Sequence, residues 1–367
     1  MAWLSGYSKR IKLTIDYNKI DSSLSNFPVT VFFTSSQGEE IFDEFDADSD
    51  YMKCAFTSDD GTTQLYAEKE LFDVSEEKAI YHVKVPSISS SANTIIYYYF
   101  DNSHADNTSY VGAIDTTAGA NVWDSNFKAV YHMVDATTST IKDSTSNNND
   151  GTKKGANEPI EATGKVGQGQ DFDGTDDYIE IPDFSLFDGL NDFTVEAIVN
   201  ADSVPASDDW RNAPVILSFR GESNYKITYD DTSASNPDRL SSRAKLSVSS
   251  WTTLVESTRQ SIDTDYFHAI TFDTTNGWVW YENGSSQDTN ANTESFVSSI
   301  EANYIGWDDT GTNRHFNGLI DEVRISSTAR SAAWIKATYN SLWDTLLTYG
   351  NKEIIVKDNA IFFGTNF

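Results

Sequence analysis

The 367-residue sequence is poor in cysteine, proline and positive charge: one cysteine (Cys54), seven prolines, and 26 lysines plus arginines against 56 acidic side chains. A single cysteine rules out an intrachain disulfide. A formal net charge of −30 argues against nucleic acid as a main partner, because phosphate binding needs clustered Lys and Arg. It also argues against docking onto anionic lipid. Such a chain suits a salty or calcium-containing medium, where excess carboxylate is screened or coordinated. Long apolar runs are missing too. Ile95 to Phe100 and Ala360 to Phe363 fall far short of the about 20 residues of a membrane-spanning helix, so no membrane insertion is expected. Met1 to Gly6 shows no charged lead followed by an apolar stretch, and no export signal is expected.

What is present is aromatic and β-forming. Phe, Trp and Tyr make up 13% of the chain within 38% hydrophobic residues, enough for packed cores. The length suggests about two domains of ~150 residues. Ile11, Leu13 and Ile15 alternate with polar residues, and Val29, Val31 and Phe33 share one face of a second strand. Asp59-Asp60-Gly61 and Asn283-Gly284 sit between extended runs, where Gly tolerates the positive φ of a hairpin turn. Ile95 to Phe100 is apolar on both faces and reads as a central strand. Further strands are expected at Tyr178 to Ile181, Phe193 to Val199, Val215 to Phe219, Lys245 to Val248, Phe267 to Phe272, Trp278 to Tyr281 and Leu319 to Ile325. One helix stands out, capped by Ser331, with Ala332, Trp334, Ile335, Thr338, Tyr339 and Leu342 on helical spacing.

Two groups of segments resemble known families. Phe56 to Gly61, His82-Val83-Lys84-Val85-Pro86 and Tyr97 to Asn102 resemble the domain of unknown function 2341. The sequence departs from that pattern at His82, where Trp is common, and at Phe100-Asp101, where Gly is common. Val130 to Met133, Asp143 to Asn147, Gly164 to Gly167, Phe172 to Ile179, Phe193 to Ala197, Gly318 to Ser326 and Trp334 to Asn340 resemble a laminin G-like, concanavalin A-like jelly roll. Ile198 stands where that family usually has Trp. The resemblance implies an all-β chain of two antiparallel β-sandwich domains with one short C-terminal helix, used mostly to bind glycans or proteins. The expected division is a first sandwich over 1–105, a connector over 106–126, a jelly roll over 127–353 and a tail over 354–367. The tail could pair with a sheet edge of its own chain or a neighbour's.

The candidate chemistry is set beside its plainer readings. Asp173, Asp176 and Asp177 lie in one turn and Asp321-Glu322 on the closing strand. Calcium takes about six to eight oxygens, often from short-range Asp, and the laminin-like resemblance permits it, so Asp173, Asp177 and Asp321 are the candidate ligands of a structural Ca²⁺. Alternatively, Asp173-Gly174 is a plain turn and Asp321 or Glu322 pairs with Arg324. Asp46, Asp48 and Asp50 lack the Gly and Glu that complete a calcium loop. The Glu-x-Asp-x-x-Glu of concanavalin A-like glycanases is missing from the sequence, and Glu196, Glu294 and Glu301 do not replace it. His82, His132 and His268 lie in strand patterns and read as packed or face-exposed residues rather than ligands. Gly164-x-x-Gly167-x-Gly169 precedes a strand and is a weak phosphate loop. Sugar rings stack on exposed indoles while carboxylates bond their hydroxyls, which singles out Trp307 with Asp308 and Asp309, then Trp210.

The expectation is therefore a non-enzymatic recognition or adhesion protein for glycan or protein surfaces. Its expected place is the virion surface of a bacteriophage, as a capsid decoration, head fibre or tail protein contacting capsid or tail proteins and able to form a homo-oligomer. The alternative is an extracellular bacterial adhesin, and a glycoside hydrolase is less favoured.

Overall fold

The computed structural model describes residues 2–135, 138–154, 158–183, 191–204, 213–219, 225–229, 238–246, 251–296, 302–309 and 314–355. Among them the strands form four sheets, antiparallel except where Ala67–Asp73 runs parallel to Val111–Ala113. The sequence-based fold class holds: the chain is mostly β, with two α-helices among the described residues.

The first sandwich packs two sheets. One orders Leu347–Ile354, Lys9–Ile15, Thr94–Phe100, Cys54–Ser58 and Gln64–Leu65, and the other orders Leu24–Thr34, Lys78–Ile88, Ala67–Asp73 and Val111–Ala113. Alternation places Ile11, Leu13, Ile15, Val29, Val31 and Phe33 in one buried cluster. The Asp59-Asp60-Gly61 turn forms as read. The Asp60 carboxylate accepts from the amides of Thr62 and Thr63 at 2.7 and 2.8 Å, and Gly61 has φ +76°. Cys54 is buried, and desolvation pushes its thiol up to about 12.

The jelly roll packs the other two. A third sheet orders Ile160–Thr163, Gln168–Asp173, Asn317–Ser326, Phe193–Ala201, Tyr266–Asp273, Gly277–Glu282 and Ser285–Asn290, with Phe127–Tyr131 also paired to Asn317–Ser326. A fourth orders Thr140–Ile141, Gly151–Lys154, Tyr178–Ile181, Asn303–Ile305, Val215–Phe219, Tyr225–Tyr229, Arg239–Lys245 and Trp251–Arg259. Phe193, Val195, Tyr225, Phe272 and Trp278 fill the space between them.

The third sheet is covered on both faces. Ile198, Phe267, Ala269 and Tyr281 belong to the same buried cluster as the first sandwich. Ile198, in place of the family's Trp, thus faces the first module. The helix Ala332–Leu342 lies in this joint. Ser331 caps it by accepting from the Trp334 amide at 3.2 Å, and Trp334 meets Phe27 edge-on at 4.9 Å.

The chain then returns to the first sandwich. Leu347–Ile354 pairs with Lys9–Ile15, Ile15 opposite Leu347 and Lys9 opposite Ile354. Leu347–Ile354, which the expected division placed at the end of the 127–353 jelly roll, thus pairs within a sheet of the first sandwich. The physical reason is the otherwise open edge of Lys9–Ile15, whose amides and carbonyls this strand satisfies. The tail beyond 355 lies outside the described residues, as do Ser247 and Val248 of the strand expected from Lys245 to Val248.

Candidate functional site

In the fourth sheet, Ile179, Ile305 and Leu217 stand opposite one another and point into the core. Their neighbours Glu180, Tyr304, Ser218 and Lys226 are cross-strand partners and must face outward, because side chains alternate along a strand. After Ile305 the chain turns at Gly306, φ +86°, where a Cβ would lie 2.6 Å from the Phe172 ring. That turn folds Trp307 back over the outer face. Its indole stacks on His315 at 5.2 Å and 7°, and lies 4.7 Å from Tyr178 and 5.4 Å from Tyr304. The Trp307 carbonyl accepts from Ser218 Oγ at 2.8 Å. Trp307 is half-buried, its indole packed against these three rings.

Asp308 does not reach solvent. It is buried between Lys226, at 3.2 Å, and Arg314. Desolvation draws the Lys226 ammonium down to about 8, with Asp308 opposing that drop, and Trp251 lies 4.6 Å from the same ammonium. Asp309, at φ +68°, is exposed. The sequence singled out Trp307, Asp308 and Asp309 together, but the structure divides them: Trp307 and Asp309 reach solvent and Asp308 is an internal counter-ion. Trp210 lies outside the described residues.

The acidic turn adjoins this face. Asp173, Asp176 and Asp177 each bring a carboxylate oxygen within 4.8 Å of the others. Gly174, φ +74°, makes the turn, and Asp173 Oδ1 accepts from the Thr175 amide at 2.7 Å. Asp177 is only 2% exposed, its Oδ2 accepts from the Asp173 amide at 2.9 Å, and its Oδ1 has no hydrogen-bond partner. Burial, reinforced by Asp173 and Asp176, raises its carboxyl to about 6. Three clustered oxygens with one buried acceptor left over fit a hard divalent cation such as Ca²⁺. The Asp177 carbonyl meets His315 Nδ1 at 3.2 Å, which ties the acidic turn to the aromatic face.

Asp321 does not join this cluster. Asp173 stands opposite Asn317 in the ladder, so Asp321 falls four residues further along. Its Oδ2 instead accepts from the Val166 amide at 2.9 Å, in the joint between the modules. Sequence reasoning missed Tyr178, Tyr304, His315, Lys226 and Arg314. Nothing local marks them, because register across separate strands brings them together. It also read His82 and His132 as packed or face-exposed rather than as ligands. Both are fully buried, with rings stacked at 4.4 Å and 14°, and they lie with Glu70 and Glu322 in a second group of metal-type donors.

Residues 50–145 match the family described as domain of unknown function 2341, and residues 173–336 match the concanavalin A-like lectin/glucanases superfamily. The first match takes in Val130 to Met133, which the sequence reading gave to the jelly roll and whose strand does pair within it. No curated protein matches the chain. Among solved structures it is similar to domain 4 of AbnA, a GH43 extracellular arabinanase from Geobacillus stearothermophilus in complex with arabinotriose, at 19% identity over 57% of this chain and 97% of that one, TM-score 0.46. It is also similar to the binding domain of Paraclostridial Mosquitocidal Protein 1, at 15% identity over 59% and 52% of the two chains, TM-score 0.47. The botulinum neurotoxin serotype G binding domain is similar at 14% identity over 58% and 50%, TM-score 0.45. The chain spans about half the length of the latter two. In order along its length, then, the chain matches the domain-of-unknown-function-2341 model and after it the laminin G-like model of the concanavalin A-like lectin/glucanases superfamily.

Proposed function

We propose that this protein is a non-enzymatic recognition module that binds glycan on the outer face of its fourth sheet, with Trp307 as the stacking platform and Tyr178 and Asp309 at its border. The observation that carries the reading is the half-buried Trp307 indole held parallel to His315 at 5.2 Å. A sugar ring gains from a fixed apolar plane beside polar groups that meet its hydroxyls, and a pre-organised ring loses little entropy on binding. Calcium held by Asp173, Asp176 and Asp177 would steady the turn that leads into Tyr178. Recognition is favoured over hydrolysis because Asp308, the carboxylate closest in sequence to the platform, is buried between Lys226 and Arg314. A glycosidase needs two carboxyl groups facing the scissile bond.

Display on a virion or cell surface is part of the same proposal, supported by the net charge of −30. Proteomics of purified particles against secreted fractions tests it. Binding itself is tested on a glycan array with and without Ca²⁺. Trp307→Ala should weaken any captured glycan by about 30-fold or more, the effect of losing a central aromatic anchor, while the thermal midpoint stays near wild type. Undiminished binding by that variant, an array blank in both conditions, or release of reducing sugar from a polysaccharide panel would each overturn the proposal.

A further inference from the structure

We propose that Glu70, His82, His132 and Glu322 bind a first-row divalent metal ion, zinc by ligand type, that fastens the first sandwich to the jelly roll. Glu70 and His82 come from adjacent strands of the first sandwich, Ala67–Asp73 and Lys78–Ile88. Glu322 comes from the jelly-roll strand Asn317–Ser326, and His132 follows Phe127–Tyr131, the strand paired to it. All four side chains have zero solvent exposure, and one donor atom from each lies within 4.8 Å of the rest. His82 Nε2 is 2.7 Å from Glu70 Oε2, and His132 Nδ1 is 3.6 Å from the same oxygen and hydrogen-bonded to Glu322 Oε1. Tetrahedral N/O donors about 2.1 Å from zinc stand roughly 3.4 Å apart, so small shifts of these side chains would complete the shell.

The second nitrogen of each imidazole is already engaged. His82 Nδ1 meets Thr30 Oγ1 at 3.2 Å, and His132 Nε2 meets Glu68 Oε2 at 3.4 Å. An outer oxygen holding the far side of each ring is the arrangement that orients metal-bound histidines. The backbone is shaped to the same end. Glu322 sits at φ +52° where the pairing of Phe193–Ala201 with Asn317–Ser326 shifts register, and Met133, next to His132, sits at φ +59°. A bulge re-aims a strand side chain at some cost in strain, which persists only where the surroundings demand it.

Charge and hydrogen bonding give the independent evidence. Glu68, Glu70, Glu196, Asp321 and Glu322 are all buried here, with the Arg324 guanidinium bonded to Glu322 at 2.9 Å. One oxygen each of Glu68, Glu70, Glu196 and Asp321 is buried with no hydrogen-bond partner. Buried carboxylates in such excess are costly unless paired or coordinated to a cation. Two imidazole nitrogens with two carboxylate oxygens are a borderline set that suits zinc and its neighbours better than calcium. With no exposure to solvent, a metal here is structural.

The full chain is unfolded with chelator and refolded with zinc, cobalt(II) or manganese(II), then desalted and assayed by plasma mass spectrometry. We expect about one zinc ion per chain, a zinc-dependent rise in the thermal midpoint, and visible absorption of the cobalt form typical of four-coordinate N/O ligation. A His82→Gln/His132→Gln double variant should retain no metal, whereas Asp173→Asn should retain zinc unchanged, separating this site from the acidic turn. Wild-type protein that refolds to its native spectrum with less than about a tenth of an equivalent of every metal, or a folded double variant that keeps full zinc, would overturn the proposal.

Discussion

Trp334 tests whether the two modules form one cooperative unit. It is 6% exposed, lies 4.9 Å from Phe27 of the first sandwich, and has the Arg330 guanidinium 4.1 Å from its ring. The buried cluster that holds it also holds Ile198 and Phe267 of the jelly roll. Trp334→Ala should cost about 3–5 kcal/mol, the usual range for a buried Trp or Phe cut to Ala. At ~2.1 cal/mol/K per residue, the whole chain unfolds with an entropy of about 0.8 kcal/mol/K, so the midpoint should fall by about 4–6 °C. Trp278→Ala, at the centre of the other core, should move the same transition by a similar amount. Differential scanning calorimetry distinguishes the cases. If each module melted alone, with half the entropy, Trp334→Ala would lower one endotherm by about 8–12 °C and leave the other in place. Two separable transitions of that kind would refute the shared core.

Two further predictions concern charge near the proposed glycan face. With the Asp177 carboxyl raised to about 6 from 3.8, the folded state holds this proton more tightly than the unfolded chain. In metal-free protein its contribution to stability is therefore full below pH ~3.8 and lost as pH rises through about 6. Calcium must displace the same proton, so its affinity should fall by up to about tenfold per pH unit below 6; titration calorimetry at pH 5 and 7 showing equal affinities would count against Asp177 as a ligand. Asp308→Asn leaves the buried Lys226 and Arg314 cations facing a neutral group, and denaturant melts should show a loss of about 3–5 kcal/mol. A loss below about 1 kcal/mol would mean that the triad is relaxed by water or rearrangement.

The sequence announced the strands wherever one face of a sheet meets solvent or a turn is tight. Ile11, Leu13 and Ile15 alternate, Gly61 turns, and Ser331 caps, each by a rule that acts over a few residues. Phe193–Ala201 also announced itself, although it is buried along nearly all its length, because its run is apolar or β-branched apart from Glu196 and Asn200. Ser285–Asn290 did not, being an edge strand of mostly exposed polar residues. Its pairing to Gly277–Glu282 is supplied by the Asn283-Gly284 hairpin rather than by its own side chains.

The return of Leu347–Ile354 to Lys9–Ile15 was illegible for a different reason. Its partner lies more than 330 positions away, and the Gly350-Asn351-Lys352 run in its middle is made of residues depleted in strands. The joint follows the same logic. His82 in place of a family Trp, Glu322 on the closing strand and His132 behind Tyr131 each read singly as a packed or paired residue, and their local sequences differ in nothing from ordinary strands. What makes them exceptional is that two modules close over them. A tryptophan at position 82 would fill this space with apolar surface. A histidine there keeps a donor beside Glu70, in a joint where Trp123, Phe127 and Val166 are buried alongside the charged cluster. A polar pocket retained in an apolar interface costs stability unless something satisfies it. That makes His82→Trp the sharpest single substitution at the joint. It removes the partner 2.7 Å from the buried Glu70 carboxylate, so the thermal midpoint should fall, and plasma mass spectrometry after refolding with zinc should find no retained metal; full zinc retention by the folded variant would count against His82 as a ligand.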